Sequence, residues 1–285
     1  CTMKRFVLLA CMALVCIVSM QESLWSQVII APTAVFMDDG SKFASVMIIN
    51  RSNESRDVSL DFKFGYPQSD SLGNVSVNYR DSVLERKYSL VSWIKVFPRQ
   101  FTLQPGEQRT VRLTVKTPND LPDGAYWGRM TTTSAPKAQL TDTNAAAIGA
   151  QLNFVFNQVV PVVFQHGKLE STISIERNNV IADTGRIDII SAIRCAGHTP
   201  FFGATSLRVL DDKGSVVEEQ KAPVAVYFNL AKRFSLDRKL YKSGSYKAEI
   251  AISGQRGDVE ERFLRTIPPV NVIVPFSVKN SPQSR

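Results

Sequence analysis

The sequence predicts an all-β protein of two sandwich domains, on three observations: apolar side chains alternate with a period of two, turn signals recur between the alternating runs, and no helical period lasts beyond two turns. At 285 residues the chain has room for two cores. Apolar residues make up 44% and charged residues 21%, a balance that suits a folded globular protein and not a disordered or membrane-embedded one.

Lys4 and Arg5 precede an apolar run over residues 6–20, too short for the roughly 20 residues that span a bilayer. This is the pattern of a secretory signal, so residues 1–26 are expected to be removed and the protein exported. Ser19, Ser23 and Ser26 are candidate cleavage points, with Ser26 preferred because strand-like sequence starts at Val28; a retained anchor, or lipidation at Cys11, is the alternative. Of the four cysteines, only Cys195 lies outside this segment, which excludes a disulfide scaffold and leaves a buried apolar thiol as the expectation. Basic residues are scattered, so the net charge of +8 describes a solvated surface and no nucleic-acid partner is called for.

In the first domain, expected over 28–166, strands are predicted within 28–36 and over 43–50, 58–66 and 111–115. Val58, Leu60, Phe62, Phe64 and Tyr66 read as one apolar face. Asp38-Asp39-Gly40, Ser71-Leu72-Gly73-Asn74, Pro105-Gly106 and Pro122-Asp123-Gly124 supply turns. A boundary is expected at His166 and Gly167, with the two domains at an angle and a cleft between them. The second domain, 168–285, repeats the pattern with strands at 171–177, 186–194, 205–210, 224–229, 244–253 and 270–278.

Residues 134–147 lack large apolar alternation and read as a long loop. Directly after it, Ile148, Ala150, Leu152, Phe154 and Phe156 occupy every second position. Either this is an ordinary last strand with its face in the core, or it is a sheet edge that lends an apolar row to a partner with an incomplete sheet; in that case backbone hydrogen bonds give affinity and alternate side chains specificity. An exposed edge is otherwise an aggregation liability.

Trp93, the run Phe97-Pro98-Arg99-Gln100-Phe101-Thr102-Leu103-Gln104-Pro105-Gly106-Glu107-Gln108-Arg109-Thr110-Val111-Arg112-Leu113, and Leu121-Pro122-Asp123-Gly124-Ala125-Tyr126-Trp127 together resemble the first domain of PapD-like periplasmic pilus chaperones. The resemblance covers most of residues 28–166, and the second domain, with Gly197-His198-Thr199-Pro200-Phe201-Phe202-Gly203, is similar more loosely. It implies two immunoglobulin-like domains set as a boomerang. It also implies a periplasmic chaperone that donates an edge strand to pilin-like secreted subunits, with an outer-membrane usher as a further partner.

The departures are informative too. That family clamps its client's terminal carboxylate with an arginine on the first strand and a lysine on the last strand of domain one, where this chain aligns Ala34 and Pro161. Pro161 also suggests a break or bulge between Val160 and Val162. The family's buried charge network at the joint is not evident around residues 123–127. Arg112 and Arg129 are the candidate replacement cations of the cleft, with plain surface arginines as the alternative reading.

Catalysis finds no support. His166 and His198 lack metal-ligand spacing with Cys195, and there is neither a Gly-x-Ser-x-Gly elbow nor a phosphate loop. No cofactor is called for, and the competing function is a structural or scaffolding component of an envelope assembly.

Overall fold

The computed structural model describes residues 28–137 and 154–279. Its secondary structure is almost all strand. In the first half, Val28–Ala31 (β1), Phe43–Asn50 (β3), Gln108–Val115 (β9) and Ile94–Phe97 (β7) form one sheet in the order β1-β3-β9-β7. Facing it, Val35–Asp38 (β2), Phe156–His166 (β11), Gly124–Pro136 (β10), Arg56–Lys63 (β4) and Gln100–Leu103 (β8) form a second in the order β2-β11-β10-β4-β8. Val46, Ile48, Val111 and Leu113 from the first sheet meet Val58, Leu60, Met130, Val162 and Phe164 from the second, and all are buried. Period-two alternation places these side chains inward and their neighbours outward.

Residues 28–36 divide between the two sheets. β1 pairs antiparallel with β3, whereas β2 pairs parallel with β11, so the chain changes sheet across Pro32 and Thr33.

The second half builds another sandwich. Ser171–Ala182 (β12), Arg186–Gly197 (β13) and Asn229–Asp237 (β16) face Val216–Val226 (β15), Phe201–Leu210 (β14), Gly244–Ser253 (β17) and Val270–Val278 (β18), with sheet orders β12-β13-β16 and β15-β14-β17-β18. Ile187, Ile189, Leu207, Val209, Phe234, Ala248 and Ile250 fill its core. No strand of one half pairs in a sheet with a strand of the other among the described residues. The expected strand over 224–229 is in fact two strand ends, because Tyr227 and Phe228 leave the ladder to face the first sandwich.

Two further predictions need correction. Val58, Leu60 and Phe62 do line one core, but β4 stops at Lys63, and Phe64 and Tyr66 turn to the joint between the halves. Tyr66–Ser69 (β5) and Val75–Asn78 (β6) form a separate hairpin. A short helix, Ser82–Tyr88 (α1), follows, capped by Asp81, whose carboxylate accepts from the Leu84 N–H at 3.0 Å. The second correction concerns 134–136, read as loop. They complete β10 opposite Phe156 and β4, and the alternation is hidden in the sequence because the inward residue there, Ser134, is polar.

The joint is aromatic. Phe64, Tyr66, Tyr88, Ala125, Trp127 and Val163 from the first half form one buried cluster with Phe202 and Tyr227 from the second. Trp127 stacks on Tyr88 at 4.8 Å and on Phe64 at 5.8 Å. Two straps flank this cluster. The β5–β6 hairpin reaches the second half, where the Ala231 N–H donates to Ser69 Oγ at 2.6 Å. From the other side, the loop after β17 sends Phe263 onto Phe36, and Gln165 donates to the Phe263 carbonyl at 3.0 Å. Gly167 makes the crossing in a left-handed conformation (φ 59°), its N–H donating to Asp39.

Candidate functional site: the outer edge of β11

β11 is held along its full length on one side only. On that side it pairs with β10 from Ser134↔Phe156 to Gly124↔His166. On the other side β2 covers only residues 162–165, so over 156–161 no described strand lies against it. The register through Arg129↔Pro161 is unbroken, which corrects the expected bulge at Pro161. Proline is tolerated because it falls on the uncovered stretch, where a strand edge does not require its missing N–H.

The side chains of this stretch form two rows. Phe156 and Val160 point to the inner face with Val162 and Phe164, and the row goes from half-buried at Phe156 to fully buried at Phe164. Phe154, two positions upstream of Phe156, is 60% exposed, and the two rings lie 6.4 Å apart. Phe154 precedes the strand and is no part of the core. Val159, on the outer row, is also exposed. Ile148, Ala150 and Leu152, the remainder of the predicted row, lie outside the described residues.

The two candidate cations are not brought together. Arg112 sits on β9 between Ser45 and Phe97, on the exposed outer face of the first sheet, which faces away from the joint. Its expected place in the cleft is therefore not where the fold puts it, because alternation with the buried Val111 and Leu113 turns it to the opposite surface. Arg129 is different. It lies on the outer face of β10 with Trp127, directly between Lys63 of β4 and Pro161 of β11, and its Nε donates to the Gly65 carbonyl at 3.3 Å. Across the joint Arg256 is held by Asp258 at 2.7 and 2.9 Å. Burial pushes the Tyr227 hydroxyl pKa up, while the charges of Arg129 and Arg256 act in the opposite sense. Arg129 thus stands beside the 156–161 stretch of β11 and faces the second half.

Cys195 is free and buried, and burial pushes its thiol up to about 11. Among the described residues no group of three His, Cys, Asp or Glu could hold a metal ion, and no helix is long and apolar enough to cross a membrane. The features that sequence reasoning passed over are the joint aromatics and Arg56. Tyr227-Phe228, two adjacent bulky rings that break the alternation, were the available signal for the joint.

No family model and no curated protein matches this chain. Many of its structural neighbours are PapD-like pilus chaperones. They include the YadV chaperone (11% identity, 88% of this chain and 100% of that chain, TM-score 0.41) and the periplasmic chaperone SfaE (11%, 86% and 98%, TM-score 0.43). A third is the CsuC–CsuE chaperone–tip adhesion subunit complex of Acinetobacter baumannii (12%, 87% and 98%, TM-score 0.43). With TM-scores below 0.5, the architecture rests on the strand order and register above.

Proposed function

We propose that this protein is a non-catalytic periplasmic chaperone that holds pilin-like subunits by pairing its β11 edge with them, and that an outer-membrane usher is the place of delivery. The observation that carries this reading is the edge at 156–161, which no described strand covers and which runs on from an exposed Phe154. A strand added there gains main-chain hydrogen bonds, while Phe154 and Phe156 offer rings to apolar pockets of the incoming chain. Arg129 supplies a cation beside the same edge for a client's terminal carboxylate, in place of the positions held by Ala34 and Pro161.

Export with loss of residues 1–26 belongs to this reading, as does a division into domains at 28–166 and 168–285. The test is Phe154→Asp. Micromolar binding is worth about 8 kcal/mol, and a carboxylate forced into an apolar pocket costs several. Capture of secreted subunits from periplasmic extract is therefore expected to disappear while the melting curve stays unchanged. Capture that persists at wild-type level would reject the edge, and unfolding would mean that the row belongs to the core.

A further inference from the structure

Arg56 opens β4, and its side chain is only 2% exposed. Alternation places it on the inner face with Val58 and Leu60, opposite Pro136 of β10. A buried guanidinium normally has a close carboxylate partner. Here the nearest among the described residues is Glu54, 3.9 Å from Nη2 and itself 60% exposed, a geometry that contributes little.

Among the described residues the one close hydrogen bond of this cation goes instead to the backbone of the proposed partner-binding segment: Nη1 donates to the Phe154 carbonyl at 3.2 Å. Its guanidinium carbon lies 5.9 Å from the centre of the Phe156 ring. Among the described residues Nε has no hydrogen-bond partner, nor do the buried Thr132 and Ser134 hydroxyls on the neighbouring inner face of β10. An aliphatic side chain would fill this corner without leaving donors unpaired, so packing alone does not account for an arginine.

We propose that Arg56 is a positioning residue for the β11 edge: it grips the Phe154 carbonyl and the Phe156 ring from inside the sandwich and holds the start of the row extended before a partner arrives. Ordering a strand end in advance removes part of the entropic cost of pairing it. The planar fork of arginine suits simultaneous contact with a carbonyl and a ring face, which a lysine ammonium reproduces only in part. The inference rests on the reading of β11 as a partner-binding edge, but it is tested without any partner.

The experiment is amide hydrogen exchange by mass spectrometry on the unliganded full chain, comparing wild type, Arg56→Met and Arg56→Lys. In Arg56→Met, exchange over 154–158 is expected to be at least tenfold faster, with β12 to β18 unchanged and the thermal midpoint not lowered; Arg56→Lys is expected to fall between the two. Unchanged exchange at 154–158 in folded Arg56→Met would overturn the proposal, as would acceleration spread evenly over the first sandwich. If Arg56→Met does not fold, Arg56→Lys decides by the same local measure. Failure here leaves the Phe154→Asp capture test untouched, and failure of that test leaves the exchange result standing.

Discussion

Trp127 on β10 and Tyr227 after β15 meet edge to face across the joint, with ring centroids 5.0 Å apart and planes at 72°. Tyr88, Phe64 and Phe228 close around the same indole at 4.8 to 6.0 Å. The two sandwiches therefore share a buried aromatic cluster, which is more than the narrow contact that a one-glycine connection suggests. The orientation of the second half relative to the β11 edge is set by this cluster.

Trp127→Ala is expected to destabilise the protein by about 3–5 kcal/mol, the range for removing a large buried aromatic side chain. Urea denaturation followed by circular dichroism measures it. A loss below about 1 kcal/mol would mean that the indole is not a keystone of the joint.

Separating the halves exposes the faces of this cluster. Fragments 28–166 and 168–285 are expected to give β-rich spectra, yet to self-associate or to recombine when mixed, since a bare apolar patch of this kind seeks cover. Sedimentation velocity of each fragment and of the mixture is the check; two monodisperse monomers that ignore each other would contradict it.

Asp39 makes the crossing at Gly167 sensitive to acid. Burial pushes its carboxyl up, but the Gly167 N–H and the His166 ring outweigh burial and hold its pKa below the ordinary value. A depressed folded pKa means stability that is present above the unfolded pKa, about 3.9, and lost as pH falls through the folded value. Asp39→Asn is accordingly expected to be less stable than wild type at pH 6, with the difference closing below pH 4. Melting temperatures of the two proteins from pH 7 to pH 2 test this, and parallel curves would dismiss it.

Cys195 is expected to be inert in the native state. With its thiol pushed up to about 11 by burial, almost no thiolate forms at pH 8. In protein lacking residues 1–26, Ellman's reagent is expected to label it only in denaturant. Stability is also expected to fall as pH rises above about 8.5, where the unfolded thiol ionises and the folded one does not. Rapid native labelling would show that the site opens.

Arg129→Met is expected to leave the melting temperature within a few degrees of wild type and to weaken capture of secreted subunits about tenfold. The remaining capture is expected to be less sensitive to salt, because a charge pair has been removed. Pull-downs at 50 and 300 mM sodium chloride distinguish this from a loss that is uniform with salt, which would place the effect in packing.

Much of the strand content was legible without coordinates, because a sheet with one buried face writes a period of two into the sequence: Val111, Leu113 and Val115 are all buried, as their spacing requires. The buried state of Cys195 was legible too, because a lone unbridged thiol behaves as a small apolar side chain. Tertiary structure alone decided where a row stops serving one core and starts serving another. Phe62 and Phe64 share a period in the sequence but face different clusters, because the strand ends at Lys63. It also decided that Arg112 and Arg129, alike as sequence, stand on opposite sides of the first sandwich, and that β2 covers β11 only from Val162 onward. Alternation records which side chains share a face, whereas which strand lies beside which is settled by long-range pairing, and no local pattern records that.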